Sequence, residues 1–356
     1  MQPSLRIGGA EKLMTEILPR LRDMGGEVEL VLFCGVQTSF KQQLLEQGIK
    51  ITDLSSNGSV YNPKYILKLC KYIKEFDIVH THNTSPQYFA AIARLFTRGR
   101  AKFVTTEHNT HNRRRDIWGA KLIDKFLYRR YDSIISISQK ATDNLTEYLG
   151  ESRGVVTINN GIDIDRYYNA QPLDREQSLK IPNNVILLTK VAGFREQKDH
   201  DTVIRSLKHL TSNIHIAFVG DGVRREACEE LTQQLEVSDR VHFLGLRSDV
   251  PEILKSSDIV VMSSHWEGLS LSSVEGMAAG KPMIASDVQG LREVVGGAGI
   301  LFKHGDDKAL ADEIIKLVED KDYYNTVSES CQERAKQYDI NIMVEKYYRE
   351  YQKLLK

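Results

Sequence analysis

Apolar side chains recur at Leu13, Met14, Ile17, Leu18 and Leu21, a 3.6-residue stripe that predicts a helix ending at Gly25-Gly26. The run at 28–33 then reads as a strand. Further strands are expected at 49–54, 77–81, 102–107, 133–138 and 154–158, separated by helices at 64–76, 86–96, 119–130 and 139–149. A turn cluster, Asn159-Asn160-Gly161-Ile162-Asp163, and a polar stretch interrupt the pattern. It then resumes, with strands at 185–191, 214–219, 241–244, 258–263, 283–286 and 299–302. Helices are expected between them at 199–210, 223–235, 249–256 and 270–279, then at 307–319 and 322–337. The last segment, 340–355, carries aromatic and charged residues at helical spacing. Alternation of this kind predicts parallel sheets with helices on both faces. The expected layout is an α/β domain at 1–168, a linker at 169–184, a second α/β domain at 185–337 and a closing helix at 338–356. Seven residues precede Gly8, so the first strand is expected to be truncated: either the chain as given starts late, or residues 3–7 make a very short substitute.

A chain of 356 residues suits two domains better than one core. No apolar run approaches the ~20 residues of a bilayer span, and the N-terminus has neither signal-peptide nor transit-peptide character. Cys34, Cys70, Cys228 and Cys331 are scattered without metal-ligand spacing, so they read as reduced thiols of a cytoplasmic protein. The net charge of zero hides an imbalance. Residues 1–170 carry 24 basic and 18 acidic side chains, the remainder 24 and 30. Arg94 to Arg130 alone holds 11 basic and 3 acidic residues, which points to nucleic acid, an anionic membrane or an acidic ligand.

The chemistry concentrates in Ser263 to Asp287, SSHWEGLSLSSVEGMAAGKPMIASD. The apolar run Ile259-Val260-Val261-Met262 turns through Trp266-Glu267-Gly268 into a helix starting near Ser270, whose hydroxyl could cap free N–H groups. Gly280 stops that helix and Pro282 precedes the next strand. A helix N-terminus offers unpaired N–H groups and partial positive charge, which suit a phosphate. Glu267 and Glu275, on either side, can accept hydrogen bonds from hydroxyls. Phosphate flanked by hydroxyls describes a nucleotide-sugar.

The spacing Glu267-x7-Glu275, followed by GLREVV, resembles the donor-site signature of retaining GT-B glycosyltransferases of family 4 (group 1). The resemblance implies two facing Rossmann-like domains, an N-terminal one for the acceptor and a C-terminal one for the donor, with the last helix crossing back to the first. It implies that Glu267 contacts the donor sugar and Glu275 the ribose. The backbone of Gly268, Leu269, Ser270 and Leu271 would then meet the diphosphate or sugar. In Val191-Ala192-Gly193-Phe194-Arg195-Glu196-Gln197-Lys198-Asp199, Lys198 matches the family's diphosphate lysine. The family arginine falls on Gly193, so Arg195 is the nearest guanidinium able to take its place. Gly220-Asp221-Gly222 matches the VGDG turn, and Leu246 follows the FLG segment whose next residue meets the base. As plain βα turns or solvated charges, these positions would need no ligand.

Ligands of open α/β sheets bind outside the C-terminal strand ends, which would put the site in the cleft between the domains. Gly8 and Gly9, before the first helix, could let a ligand approach backbone N–H groups there. His108 ends a strand of the first domain, where a histidine can donate to a hydroxyl or exchange a proton with it near neutral pH; His80 and His82 end the preceding strand. No metal-ligand spacing and no Asp-x-Asp is present, so neither metal nor cofactor is expected. The helix N-terminus with Lys198 and Arg195 would stabilise the departing diphosphate.

Arg113-Arg114-Arg115, with Trp118, Lys121, Lys125, Phe126, Tyr128, Arg129 and Arg130, forms a basic segment interleaved with aromatics. It reads either as a peripheral contact with anionic headgroups on the inner face of the cell membrane or as plain surface. A nucleic-acid motif does not accompany it. The reading is a metal-independent retaining glycosyltransferase using a nucleotide-sugar, a UDP-sugar, on a glycan or lipid-linked acceptor in bacterial surface-polysaccharide or lipopolysaccharide assembly. A nucleotide-sugar epimerase of the same shape and an inactive nucleotide-sugar-binding scaffold are the rivals. A NAD-dependent dehydrogenase is disfavoured, since no G-x-G-x-x-G follows a strand.

Overall fold

The computed structural model describes residues 1–6, 8–97, 99–108, 117 and 119–356. They form two compact units, residues 1–160 with 340–356 and residues 161–339.

In the first unit, α1 (Gly9–Asp23), β1 (Glu29–Leu32), α2 (Ser39–Glu46), β2 (Lys50–Asp53), α3 (Lys64–Glu75) and β3 (Ile78–His82) come first. They are followed by α4 (Thr84–Phe96), β4 (Lys102–Glu107), α5 (Ala120–Tyr128), β5 (Ser133–Ser136), α6 (Gln139–Leu149) and β6 (Val155–Thr157). Strands β1 and β2 pair in parallel, and β3 to β6 pair in parallel in chain order. Residues 1–3 stitch the two groups. Gln2 bonds to β1 in both directions (its N–H to the Val31 carbonyl at 3.0 Å, its carbonyl to the Phe33 N–H at 3.2 Å), and Met1 accepts the His82 N–H at 3.0 Å. Residues 1–3 thus lie between β1 and β3, with Gln2 in an isolated parallel bridge to Leu32, and the described part of 3–7 forms no strand.

The stripe on α1 is buried as its spacing predicts, through Leu13, Met14, Ile17 and Leu21. It packs with Leu30, Leu32, Val104 and Ile135 of the sheet. The last helix of the chain, residues 340–355, joins the same core through Ile340, Met343, Val344 and Tyr347.

The second unit runs α7 (Ile164–Tyr168), β7 (Ile186–Val191), α8 (His200–Ser206), β8 (Ile214–Val219), α9 (Arg225–Gln234), β9 (Val241–Gly245), α10 (Val250–Ser256), β10 (Ile259–Met262) and α11 (Leu271–Ala278). Then come β11 (Met283–Ser286), α12 (Gln289–Val295), β12 (Ile300–Phe302), α13 (Asp307–Glu319) and α14 (Lys321–Ala335); the helix at 340–355 is α15. All six strands are parallel, in the order β12-β11-β10-β7-β8-β9. Numbered within the unit this is 3-2-1-4-5-6, the doubly wound order, and its direction reverses between β7 and β10. Strand β10 is buried throughout, as a run of four apolar residues predicts. Gly276 lets α11 press onto the sheet, since a Cβ there would lie 2.8 Å from Val260 Cγ1 and from Met283 Cε.

The polar stretch 169–184 is packed on the second unit. Leu179 and Ile181 are buried with Leu187 and Val219, and Arg175 bonds the Ser256 carbonyl (2.7 Å) and Asp258 (3.0 Å). Helices α2, α7 and α12 have no counterpart in the predicted elements. Arg113, Arg114, Arg115 and Trp118 lie outside the described residues.

Candidate active site

The crevice of a doubly wound sheet opens at the C-terminal ends of the strands that flank the reversal, here β7 and β10. The loop after β7 carries Lys198 and the loop after β10 carries Glu267, and an ion pair joins them. Lys198 Nζ lies 2.5 Å from Glu267 Oε1, and the Ser264 hydroxyl donates to the same oxygen at 2.8 Å. The pair is shielded, the Glu267 side chain being 7% exposed and Lys198 22%. The backbones are laced as well. The His265 N–H donates to the Gln197 carbonyl (2.8 Å), and Gln197 Nε2 donates to the Trp266 carbonyl (2.8 Å).

Beneath the loops lies a lysine that the sequence reading passed over. Lys190, fully buried near the end of β7, donates to the Lys198 carbonyl (2.6 Å) and to the carbonyl and hydroxyl of Ser263 (2.5 and 2.7 Å). Burial, aided by the nearby Lys198 charge, pushes its pKa down to about 7. Its one external signal is a basic residue inside the otherwise apolar strand ILLTKV, which a buried strand tolerates only with partners in place.

Ser270 takes the N-cap position of α11, but its hydroxyl makes no capping bond and instead accepts from the Ser273 hydroxyl at 2.9 Å. The expected serine cap is thus absent, and no Ser270 side-chain bond covers the first-turn N–H groups. Glu275, one turn in, is 9% exposed and accepts the Tyr167 hydroxyl of α7 at 2.6 Å. Nothing in the sequence links residues so far apart. Gly290, at the start of α12, has a sharper role: a Cβ there would sit 1.9 Å from the Gly268 carbonyl oxygen and 2.5 Å from that of Glu267. The glycine of GLREVV lets α12 support the Glu267 loop directly.

The other expected positions divide. Gly268, Leu269 and Leu271 lie half-buried along the loop and helix start. Arg195 is exposed, and its guanidinium has no partner among the described residues. Gly220 sits at φ 143°, with the Ala192 carbonyl 2.2 Å from where a Cβ would lie. Packing of the β8 turn on the β7 loop accounts for that glycine. Leu246, 80% exposed, follows β9.

In the first unit, Gly8 precedes α1 with extended backbone and Gly9 opens the helix with free space around it. His108 Nε2 and His82 Nδ1 are 2.9 Å apart, and His80 bonds Tyr351 (2.6 Å) and Thr106 (2.8 Å). Burial lowers the His108 pKa to about 4, and those of His80 and His82 well below the usual value. A shift in this direction favours the neutral ring at His108, which would act there as a hydrogen-bonding group. Asp199, His265 and His304 also converge, although the sequence shows no metal-ligand spacing.

Residues 7–166 match the family described as Glycosyltransferase Family 4, and residues 173–337 the family described as Glycosyl transferases group 1. The chain is 26% identical to the N-acetyl-alpha-D-glucosaminyl L-malate synthase of Bacillus anthracis, over 92% of this chain and 89% of that one. It is 25% identical to the N,N'-diacetylbacillosaminyl-diphospho-undecaprenol alpha-1,3-N-acetylgalactosaminyltransferase of Campylobacter jejuni, over 96% and 94%. The crystal structure of Anabaena Alr3699/HepE in complex with UDP superposes with a TM-score of 0.84 at 22% identity, covering 99% of this chain and 98% of that one. The chain belongs to the family 4, group 1 glycosyltransferases, and it is a glycosyltransferase of GT-B fold.

Proposed function

We propose that this enzyme moves a sugar, without needing a metal, from a UDP-sugar to an acceptor hydroxyl with retention at the anomeric carbon. The observation that carries this reading is the Lys198–Glu267 pair at the reversal point of the second sheet, beside a helix start that Ser270 leaves uncapped. A diphosphate at the start of α11 would draw on its first-turn N–H groups, on Lys198 and on the exposed Arg195. Glu267, held by Ser264, would orient the sugar hydroxyls, and Glu275, held by Tyr167, the ribose. Gly220, Leu246 and the backbone of Gly268 to Leu271 would line the nucleotide. These positive groups supply what the leaving diphosphate needs as its charge grows. The leaving phosphate oxygen would take the acceptor proton on the same face of the sugar, which gives retention.

The first unit would hold the acceptor, with Gly8, Gly9 and a neutral His108 as hydrogen-bonding positions. The Campylobacter relative's name includes a diphospho-undecaprenol acceptor, which supports a lipid-linked glycan here and a place in surface-polysaccharide assembly. Helix α5 fits that setting. Leu122, Ile123 and Phe126 are exposed on it beside Lys121, with Ile117 exposed just before, a combination suited to a headgroup layer. No helix among the described residues is long and apolar enough to cross a membrane.

A thermal-shift screen with UDP-, GDP- and ADP-sugars, followed by transfer assays, tests the reading. Stabilisation by a UDP-sugar and transfer to an acceptor are expected. Turnover of the donor without acceptor would indicate an epimerase, and binding without transfer a scaffold.

A further inference from the structure

Among the described residues, one cluster has the composition and geometry of a metal site, and the proposed transfer chemistry does not use it. One ligand atom from each of Asp199, His265 and His304 lies within 4.8 Å of the other two. The three come from the loops after β7, β10 and β12, brought together by the doubly wound sheet. His265 Nδ1 and His304 Nε2 are 2.6 Å apart, so two ring nitrogens already face each other.

The second observation concerns Asp199. It is 6% exposed, its Oδ1 accepts the Thr202 N–H at 3.3 Å, and its Oδ2 is buried with no hydrogen-bond partner. A buried carboxylate oxygen without a donor carries a desolvation cost of about 1–3 kcal/mol or more. The neighbouring cations do not remove it by hydrogen bonding. Lys198 is paired with Glu267, and Lys190 is directed at the Lys198 carbonyl and at Ser263. A divalent cation would complete the arrangement.

We propose that Asp199, His265 and His304 bind a divalent transition ion, zinc or one of like ligand preference, with water in the fourth position. Two imidazoles and a carboxylate suit zinc, whose bonds of about 2.0–2.1 Å set tetrahedral ligands roughly 3.3 Å apart. Modest side-chain rotation from the present spacing reaches that geometry. In the neutral pair, the ring that donates moves its proton to its other nitrogen, and both facing nitrogens become ligands without net charge change. The ion fastens the Glu267 loop to the Lys198 loop and to the turn after β12, bracing the segment that carries the ion pair. The inference rests on the second unit alone and is independent of which sugar or acceptor is used.

The test uses the full chain stripped with a chelator and titrated with zinc alone by calorimetry and thermal shift, and with cobalt by visible absorption. One ion per chain, a rise in melting temperature and cobalt ligand-field bands are expected. His304→Ala, an exposed position outside the proposed donor site, should weaken zinc binding at least about tenfold. His265→Ala should do the same to zinc. Asp199 also caps α8 through the Thr202 N–H, so Asp199→Asn would mix a stability loss with the metal effect and the two histidine variants decide the matter. Absence of cobalt bands in the wild type overturns the proposal, and so does zinc affinity unaltered in both histidine variants, which would assign the ion to other groups such as the free thiols.

Discussion

Lys198 Nζ and Glu267 Oε1 lie 2.5 Å apart across the two loops that leave β7 and β10. The contact bridges the loops that leave the two strands between which the second sheet reverses its order, at the edge of the crevice expected there. Replacing Lys198 with Ala removes a cation from the proposed diphosphate site and leaves the shielded Glu267 carboxylate without its ammonium. Transfer should fall roughly 100-fold or more, with a stability loss of only about 1–3 kcal/mol. Initial-rate assays beside denaturant titrations separate the two effects, and a fully active variant would remove Lys198 from the site.

Gly290→Ala tests the support of that loop from below. The added methyl would meet the backbone oxygens of Gly268 and Glu267 well inside contact distance, and backbone cannot step aside as a flexible side chain can. A stability loss of about 1–3 kcal/mol and weaker donor binding are expected by thermal melting and UDP titration. An unperturbed variant would mean that the loop is free to retreat.

Tyr167→Phe deletes the hydroxyl that fixes the Glu275 carboxylate. A hydrogen bond to a charged group contributes about 1.5–3 kcal/mol, so the variant should melt earlier. UDP affinity should fall less than in Glu275→Ala, because the carboxylate itself remains. Equal losses in both variants would argue that Glu275 serves packing and not the ribose.

The histidine chain predicts a pH dependence. His108 titrates near 4 in the folded protein against 6.5 ordinarily, and His80 and His82 are displaced in the same direction. Between those values the unfolded chain binds protons that the folded one does not. The histidines' contribution is therefore fully present above about pH 6.5 and is lost as the pH falls toward 4. Denaturant titrations across that window should show a slope that is shallower in His108→Gln. An identical slope would place the acid sensitivity elsewhere.

Membrane contact can be tested on α5. Replacing Leu122, Ile123 and Phe126 together with Ser removes exposed apolar surface without disturbing buried Leu127 and Tyr128. Co-sedimentation with anionic vesicles should drop, as it should when Arg113, Arg114 and Arg115 become Ser. Unchanged sedimentation of both variants would return the segment to plain surface.

The alternation of apolar runs made the strands legible, because a buried parallel strand is written as a short unbroken run such as IVVM. Helix α2 was hidden by its length: eight residues, with only Lys41 and Leu44 buried, give no repeating stripe. Helix α12 was hidden by Gly290, a poor helix former that is present because the Glu267 loop passes so close. The stretch at 169–184 looks like a linker in composition, yet Leu179 and Ile181 anchor it. Glu267 and Lys198 could be proposed from spacing and resemblance, each on its own loop. Their pairing, the buried Lys190 beneath them, the Tyr167–Glu275 bond and the Asp199-His265-His304 cluster depend on contacts between distant segments, which one-dimensional patterns do not carry.

Titration of the wild type, Lys198→Ala and Glu275→Ala with UDP by calorimetry tests the account most directly. Saturable binding to the wild type is predicted, with affinity lowered about tenfold or more in each variant, as loss of a charge-assisted contact implies. A wild type that does not bind UDP, or variants that bind it equally well, would contradict a donor site at the β7–β10 crevice.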